Sequence, residues 1–312
     1  MSGLTSVVGI KPSSDDNLGT ELSNNSLDVN TLLARKHRFP YFFKYRYEFR
    51  EYLAELIGTT IFMTLGICVN STVFFDSALS PEYMLIIALG WGFAVVVSLY
   101  AISGTGGGHL NPAMSISLAV FGLFPWKKVP GFIACQFLGC FFGSAIGYSV
   151  YVKKYNAFDG GSRQTTGPHA TAGIFSSYPD PIDVTWNAFY IEFAFTFIMN
   201  FIIQGVLENR TYPSKGIEPL ILGLMITAII LAGGVTKSIN ANPARDLAPR
   251  IFTALFGWGS EPFTENRHYF WVPVVAPILG AIGGVGAYEL LLFPTDEYGV
   301  EVVKAEAESN SG

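Results

Sequence analysis

The sequence predicts an all-α membrane protein with six transmembrane helices and two half-membrane helices, arranged as an inverted three-plus-three repeat. Three observations carry this. Half of the 312 residues are hydrophobic and only 14% are charged, too few to clothe a soluble surface, whereas walls facing lipid need no charge. Six apolar runs are long enough to cross a hydrocarbon core of roughly 30 Å. The triplet Asn-Pro-Ala occurs twice, at Asn111-Pro112-Ala113 and at Asn242-Pro243-Ala244, and each copy opens an apolar stretch too short to cross.

The elements follow in chain order. Tyr52–Phe75 is the first span and contains one charge, Glu55. Met84–Ser103 is the second and contains none. Pro112–Leu123 is the first short stretch. At 1.5 Å per residue about twelve helical residues reach only about 18 Å. Val129–Val152 is the third span, uncharged, with Gln136 inside it. Trp186–Leu207 is the fourth, with Glu192 placed as Glu55 is in the first. Ile217–Val235 is the fifth, Pro243–Phe256 the second short stretch and Tyr269–Tyr288 the last span.

Each short stretch begins with asparagine and then proline. Asparagine is a favoured helix cap, and proline suits the first helical position. The loops before them, Gly104–Leu110 and Gly233–Ala241, are glycine-containing and irregular. At membrane depth such backbone survives only where protein encloses it or where it lines a water-filled cavity. With three spans in each half, the second repeat is inverted relative to the first, and a functional site near the midplane is expected. The two half-helices then meet end to end at Asn111 and Asn242, which implies a pore. Glu55 and Glu192 are expected as buried acceptors for the loop amides. His109 reads either as a buried histidine with a satisfied ring or as a titrating gate. Gly139, Gly143 and Gly147, and likewise Gly280 and Gly284, repeat every four residues and suit close helix packing.

Lysine and arginine set the orientation. Arg35, Lys36, Arg38, Lys44, Arg46 and Arg50 precede the first span, Lys127 and Lys128 the third, and Arg210 and Lys215 join the fourth to the fifth. Under six spans all lie on one side, which should be cytoplasmic. Lys153, Lys154 and Arg163 oppose that trend from the start of the longest loop. Both termini are therefore expected inside, in a multi-pass protein of the plasma membrane. Asn70-Ser71-Thr72 is a glycosylation pattern on the expected outer side, close against the first span.

Other classes are excluded. A net charge of -5 lacks the basic excess that nucleic acid requires. Three cysteines, all in apolar runs, give no disulfide framework or zinc site. No nucleophile with a base and no metal-ligand cluster appears, so no enzyme, metal or cofactor is expected. No paired charge at the midplane suggests a secondary transporter.

Over about Arg50 to Phe293 the chain resembles the major intrinsic protein family, the aquaporins and aquaglyceroporins. The resemblance rests on Gly108-His109-Leu110-Asn111-Pro112-Ala113, on Asn242-Pro243-Ala244-Arg245-Asp246, on both buried glutamates and on Gln136. It implies a homotetramer with one pore per subunit, in contact with lipid. Asp246 followed by Pro249-Arg250, Pro277-Ile278, and Gly173-Ile174-Phe175 before Tyr178-Pro179 are similar to the glycerol-conducting branch. The resemblance further implies a selectivity filter of Trp91, Ile230, Ile239 and Arg245. Trp91 and Arg245 match that branch, whereas Ile230 stands where glycine is common and Ile239 where phenylalanine is common.

The domain reading that follows has a cytoplasmic tail over residues 1–48, largely disordered with an aromatic-basic interfacial end. The channel domain covers 49–294, with repeat one at 49–152, the outer loop at 153–183 and repeat two at 184–294, and a second tail covers 295–312. The expected function is passive conduction of small neutral solutes, glycerol and water, with ions and protons excluded. The alternatives are a channel mainly for water or hydrogen peroxide, and a closed-pore adhesion or scaffold protein.

Overall fold

The structure is a computed structural model that describes residues 45–76, 83–179, 185–208, 216–236 and 238–292. The tails expected over 1–48 and 295–312 lie outside the described residues, apart from a helical turn at 45–48. So do the basic residues Arg35 to Lys44, Arg210 and Lys215. The unit that begins at Arg50 is all-helical and is described by itself.

Its long helices are α1 (Arg50–Phe75), α2 (Tyr83–Ile102), α4 (Val129–Asp159), α5 (Thr185–Leu207) and α8 (Val272–Leu291). Each is long and apolar enough to cross a membrane. The sixth, α6 (Glu218–Gly233), has only 16 residues, about 24 Å of α-helix. A 3-10 turn, Gly234–Thr236, adds about 6 Å because that geometry rises faster per residue. The fifth expected span is thus completed by a tighter winding rather than by more α-helix.

The half-helices are α3 (Pro112–Val120) and α7 (Pro243–Thr253). Both end three residues before the sequence suggests. For α3 the reason is local. Gly122 takes a left-handed φ of 75°, its N–H donates to Ala119 at 3.2 Å, and Leu123 N–H reaches back to Leu118 at 2.8 Å. This glycine-terminated wrap stops the helix while satisfying its last carbonyls. After α7 a wider turn, Ala254–Trp258, carries Gly257 at φ 116°. In the other direction α4 runs past the expected Val152 to Asp159, because its last turns bury Tyr155 against Phe175 and Trp258.

The packing repeats twice. The two most extensive helix contacts pair α1 with α4 and α5 with α8, and each half-helix lies on the long third helix of the other repeat, α3 on α8 and α7 on α4. Small residues bring the backbones together, as in lipid-embedded bundles generally. A Cβ on Gly143 would lie 2.8 Å from the Thr60 carbonyl, and one on Gly280 would lie 2.5 Å from the Phe193 carbonyl. The second helices of the repeats, α2 and α6, cross where Gly92 and Gly223 face each other.

At that crossing a Cβ on Gly223 would sit 2.6 Å from the Gly92 carbonyl, and one on Gly92 would sit 2.7 Å from that of Gly223. No side-chain rotation relieves a contact with backbone. Gly223→Ala is therefore expected to destabilise the folded protein by about 1–3 kcal/mol. Thermal unfolding in detergent checks this, and an unchanged melting temperature would show that α2 and α6 part at no cost.

Candidate pore

Two irregular loops carry the centre of the molecule. Each ends in a residue of left-handed backbone, Leu110 and Ala241, both at φ 52°. Neither is glycine, so each stores strain of order 1–3 kcal/mol that surrounding contacts must hold. The contacts are those of the two buried glutamates. Glu55 Oε1 accepts the N–H groups of Gly108 and His109 at 2.5 and 2.7 Å, and Oε2 accepts Leu110 N–H at 2.9 Å. Glu192 accepts Asn240 and Ala241 N–H, both at 2.9 Å. Gln136 from α4 adds a bond to Glu55 at 2.7 Å and ties Ser115 of α3 at 3.0 Å. His109 belongs to the same knot. Its Nδ1 is 2.9 Å from Ser115 Oγ, and its ring packs against Phe124 and Phe132.

The loops deliver Asn111 and Asn242 to the half-helix N-termini. Asn111 Oδ1 accepts Ala113 N–H at 2.9 Å; Asn242 Oδ1 accepts Ala244 and Arg245 N–H at 3.0 and 3.2 Å. Each side chain then crosses to the other repeat. Asn111 Nδ2 donates to the Ala241 carbonyl at 2.7 Å, and Asn242 Nδ2 donates to the Leu110 carbonyl at 2.8 Å. A primary amide has two N–H donors, so each asparagine keeps one beyond this cross-link.

Asn111 and Asn242 border one cavity of about 470 Å³, together with Trp91, His109, Ile230, Ile239 and Arg245. Arg245 stands with its guanidinium 4.5 Å from the Trp91 ring centre. None of the described hydrogen bonds uses its side-chain N–H groups. The Trp91 ring packs edge-on against Phe62 and fills the space that Gly66 leaves, while its Nε1 donates to Asn70 Oδ1 at 3.0 Å. Ile230 and Met84 approach each other across Gly234, and Ile239 rests on Gly233.

Asp246 lies outside the cavity wall and braces it. It is buried, paired with Arg250, and accepts the Ser177 N–H at 2.8 Å and the Asn240 amide at 2.9 Å. Arg250 also donates to the Ser177 carbonyl and, at 2.7 Å, to that of Pro262. Its guanidinium covers the Tyr178 ring at 4.6 Å. Burial is the largest influence on the Tyr178 phenol and pushes its pKa up, so it stays protonated.

The major intrinsic protein family model matches residues 43–288. The chain belongs to that family. As a major intrinsic protein it is a multi-pass integral membrane channel and not an enzyme. It is 41% identical to Aquaglyceroporin-3 of Trypanosoma brucei brucei over 244 residues, 78% of this chain and 79% of the relative. It is 36% identical to Aquaglyceroporin-2 of Rhizophagus irregularis over 293 residues, 94% and 91% of the two chains, and 37% identical to human Aquaporin-9 over 245 residues, 78% and 82%. Among solved structures it resembles the aquaglyceroporin from Plasmodium falciparum, with a TM-score of 0.71 and 29% identity, over 78% of this chain and 97% of that one.

Sequence reasoning missed part of this major intrinsic protein's cavity wall. Asn70 read only as a glycosylation pattern, yet its amide bonds the Ile174 carbonyl at 2.8 Å and holds Trp91. Ser177 and Asn240 were not singled out. Ser177 meets Asn240 and Asp246 across 63 and 69 positions, beyond any local motif. Asn240 follows Ile239 directly, so its closeness to the second Asn-Pro-Ala was the available signal.

Glu192 is fully buried and accepts two backbone N–H groups of the second loop. Glu192→Leu is expected to strand both, at about 1–3 kcal/mol for each orphaned N–H. The melting temperature in detergent should fall sharply, and Glu192→Gln, which keeps one acceptor, should fall between the two. Equal melting of all three would mean that the second loop is held by something else.

Proposed function

We propose that the protein is a passive channel for glycerol-like neutral solutes and water that excludes ions and protons. The observation that carries this is the divided wall of the cavity. Trp91, Ile230 and Ile239 offer carbon surface, and Arg245, stacked on the Trp91 ring, offers N–H donors that are unspent among the described hydrogen bonds. A polyol has the same division, a carbon backbone along one edge and hydroxyls along the other. In this reading Trp91, Ile230, Ile239 and Arg245 form the selectivity filter, and Asp246 marks the glycerol-conducting branch. The names of the aquaglyceroporin relatives agree with it.

Exclusion follows from charge and orientation. Two helix N-termini place about half a positive charge each at the middle of the cavity. Arg245 adds a full one. Cations meet all three, and half-helix dipoles with an arginine are a known selectivity device. A water that accepts from the spare N–H of Asn111 and of Asn242 turns both lone pairs toward them. Its hydrogens then point away from the midpoint, and a proton wire is broken there. The protein is further proposed as a homotetramer in the plasma membrane with both termini cytoplasmic. Family membership sets the adhesion or scaffold reading aside.

A second reading, conduction mainly of water or hydrogen peroxide, draws on Ile230, which borders the cavity as a bulky side chain. Osmotic swelling of proteoliposomes separates the two. Glycerol conduction requires rapid shrinkage followed by re-swelling in glycerol; shrinkage without re-swelling would overturn it in favour of the narrower channel. Ile230→Gly is expected to raise glycerol flux severalfold more than water flux, because bulk limits the wider solute first. Equal factors would show that Ile230 does not limit size. Arg245→Val is expected to admit monovalent cations, measured as conductance across a planar bilayer.

A further inference from the structure

The Trp91 ring lies along one face of α1. Phe62, Gly66 and Asn70 are spaced four residues apart, so a single helix face presents all three. Phe62 meets the ring edge-on with 5.1 Å between centroids, Gly66 leaves room for its six-membered part, and Asn70 Oδ1 accepts its Nε1–H at 3.0 Å. The contacts with Phe62 and Gly66 set where the ring sits. The hydrogen bond sets which way its nitrogen points.

Both ends of the Asn70 carboxamide are engaged. While Oδ1 takes Trp91, Nδ2 donates at 2.8 Å to the Ile174 carbonyl, in the 3-10 turn Ala172–Ile174 of the outer loop. One side chain thus joins α1, α2 and that loop, and Asn70, Trp91 and Ile174 all border the cavity. An aspartate would have no donor for the carbonyl, and a valine offers neither group.

The join decides what the wall offers. An indole has one polar group, its N–H, which only donates. Held by Asn70, Trp91 shows the cavity carbon, with the Arg245 guanidinium 4.5 Å from its ring centre. Released, the N–H takes another partner, as such groups do when buried, and the partner at hand in a pore is water. A water fixed on that wall removes the apolar contact for the carbon edge of glycerol and leaves a file of waters undisturbed.

We propose that Asn70 is a positioning residue of the filter, which holds the indole nitrogen of Trp91 away from the permeating solute and thereby favours glycerol over water. Its effect on selectivity rests on the glycerol-channel reading; its hold on Trp91 does not.

The test measures glycerol and water fluxes on the same proteoliposomes of the full chain. The readout is their ratio, because loss of folded protein lowers both fluxes alike. Asn70→Val is expected to lower the glycerol-to-water ratio about fivefold, the equivalent of one neutral hydrogen bond. In a Trp91→Phe background there is no N–H to hold, and the same substitution should change the ratio by less than about twofold. An equal drop in both backgrounds would assign the effect to the tie with Ile174 and overturn the proposal, as would an unchanged ratio in Asn70→Val. Exchange of the Trp91 indole hydrogen with deuterium is followed alongside, by NMR on protein labelled at its tryptophan nitrogens. The resonance that Trp91→Phe removes identifies it. Exchange should be slow in the unaltered protein and several times faster in Asn70→Val. Fast exchange in the unaltered protein would overturn the hold whether or not any variant folds. A slow hydrogen that Asn70→Val releases, in a protein passing water but no glycerol, would sink the glycerol reading and leave the positioning role standing. Glycerol influx with equal exchange in both proteins would do the reverse.

Discussion

Two buried carboxylates hold this structure's centre together. A helix that stops halfway across a membrane leaves its first N–H groups and the loop before it with no water to bond. Glu55 and Glu192 take five loop N–H groups between them, and the asparagine caps take three more at the helix ends. Everything at the pore depends on that accounting. The left-handed backbone at Leu110 and Ala241 is tolerable because a carboxylate grips the N–H of each of these residues. The direction of both asparagines, and so of the donors offered to a passing solute, follows from that grip.

The two repeats solve the same problem with unequal means. Glu55 is backed by Gln136, which carries the network across to Ser115 and His109. For Glu192 the described bonds go to backbone alone, and the polar support shifts outward to Asp246, Arg250 and Ser177. That shift suits the position of Arg245. A guanidinium next to a bare carboxylate would form a closed pair and present nothing to the cavity. Here Asp246 is already engaged by Arg250, Ser177 and Asn240, and Arg245 is left facing aromatic carbon.

What could be read from the sequence was whatever repeats or has a length. Half-helices begin at both Asn-Pro-Ala triplets, both glutamates are buried, and five of the six long spans lie within about three residues of where composition places them. The departures have physical causes that composition does not carry. The fifth span is short in α-helix because its last turn is wound tighter. The third runs two turns too far because Tyr155 finds an aromatic pocket under the outer loop. Gly122 ends the first half-helix early, and its glycine was a signal that outweighed the apolar residues on either side. Asn70 stood out only as part of a glycosylation pattern, because nothing in Asn70-Ser71-Thr72 reveals that Ile174 will arrive from over a hundred residues away. The cluster of Ser177, Asn240 and Asp246 is of the same kind, for Ser177 meets the other two only after folding.

The crossed bonds between Asn111 and the Ala241 carbonyl, and between Asn242 and Leu110, have a consequence for how the protein is made. Repeat one leaves the ribosome first, and its asparagine then has no acceptor, because Ala241 is not yet synthesised. Leu110 likewise waits with an unmatched carbonyl. The early half must reside in the bilayer with its central loop unfinished, and only the arrival of the late half closes both strands of the clasp in one step. The aqueous path through the protein therefore does not grow by degrees during biogenesis. It comes into being last, so a ribosome that stalls partway leaves behind helices but no open leak in the cell's permeability barrier.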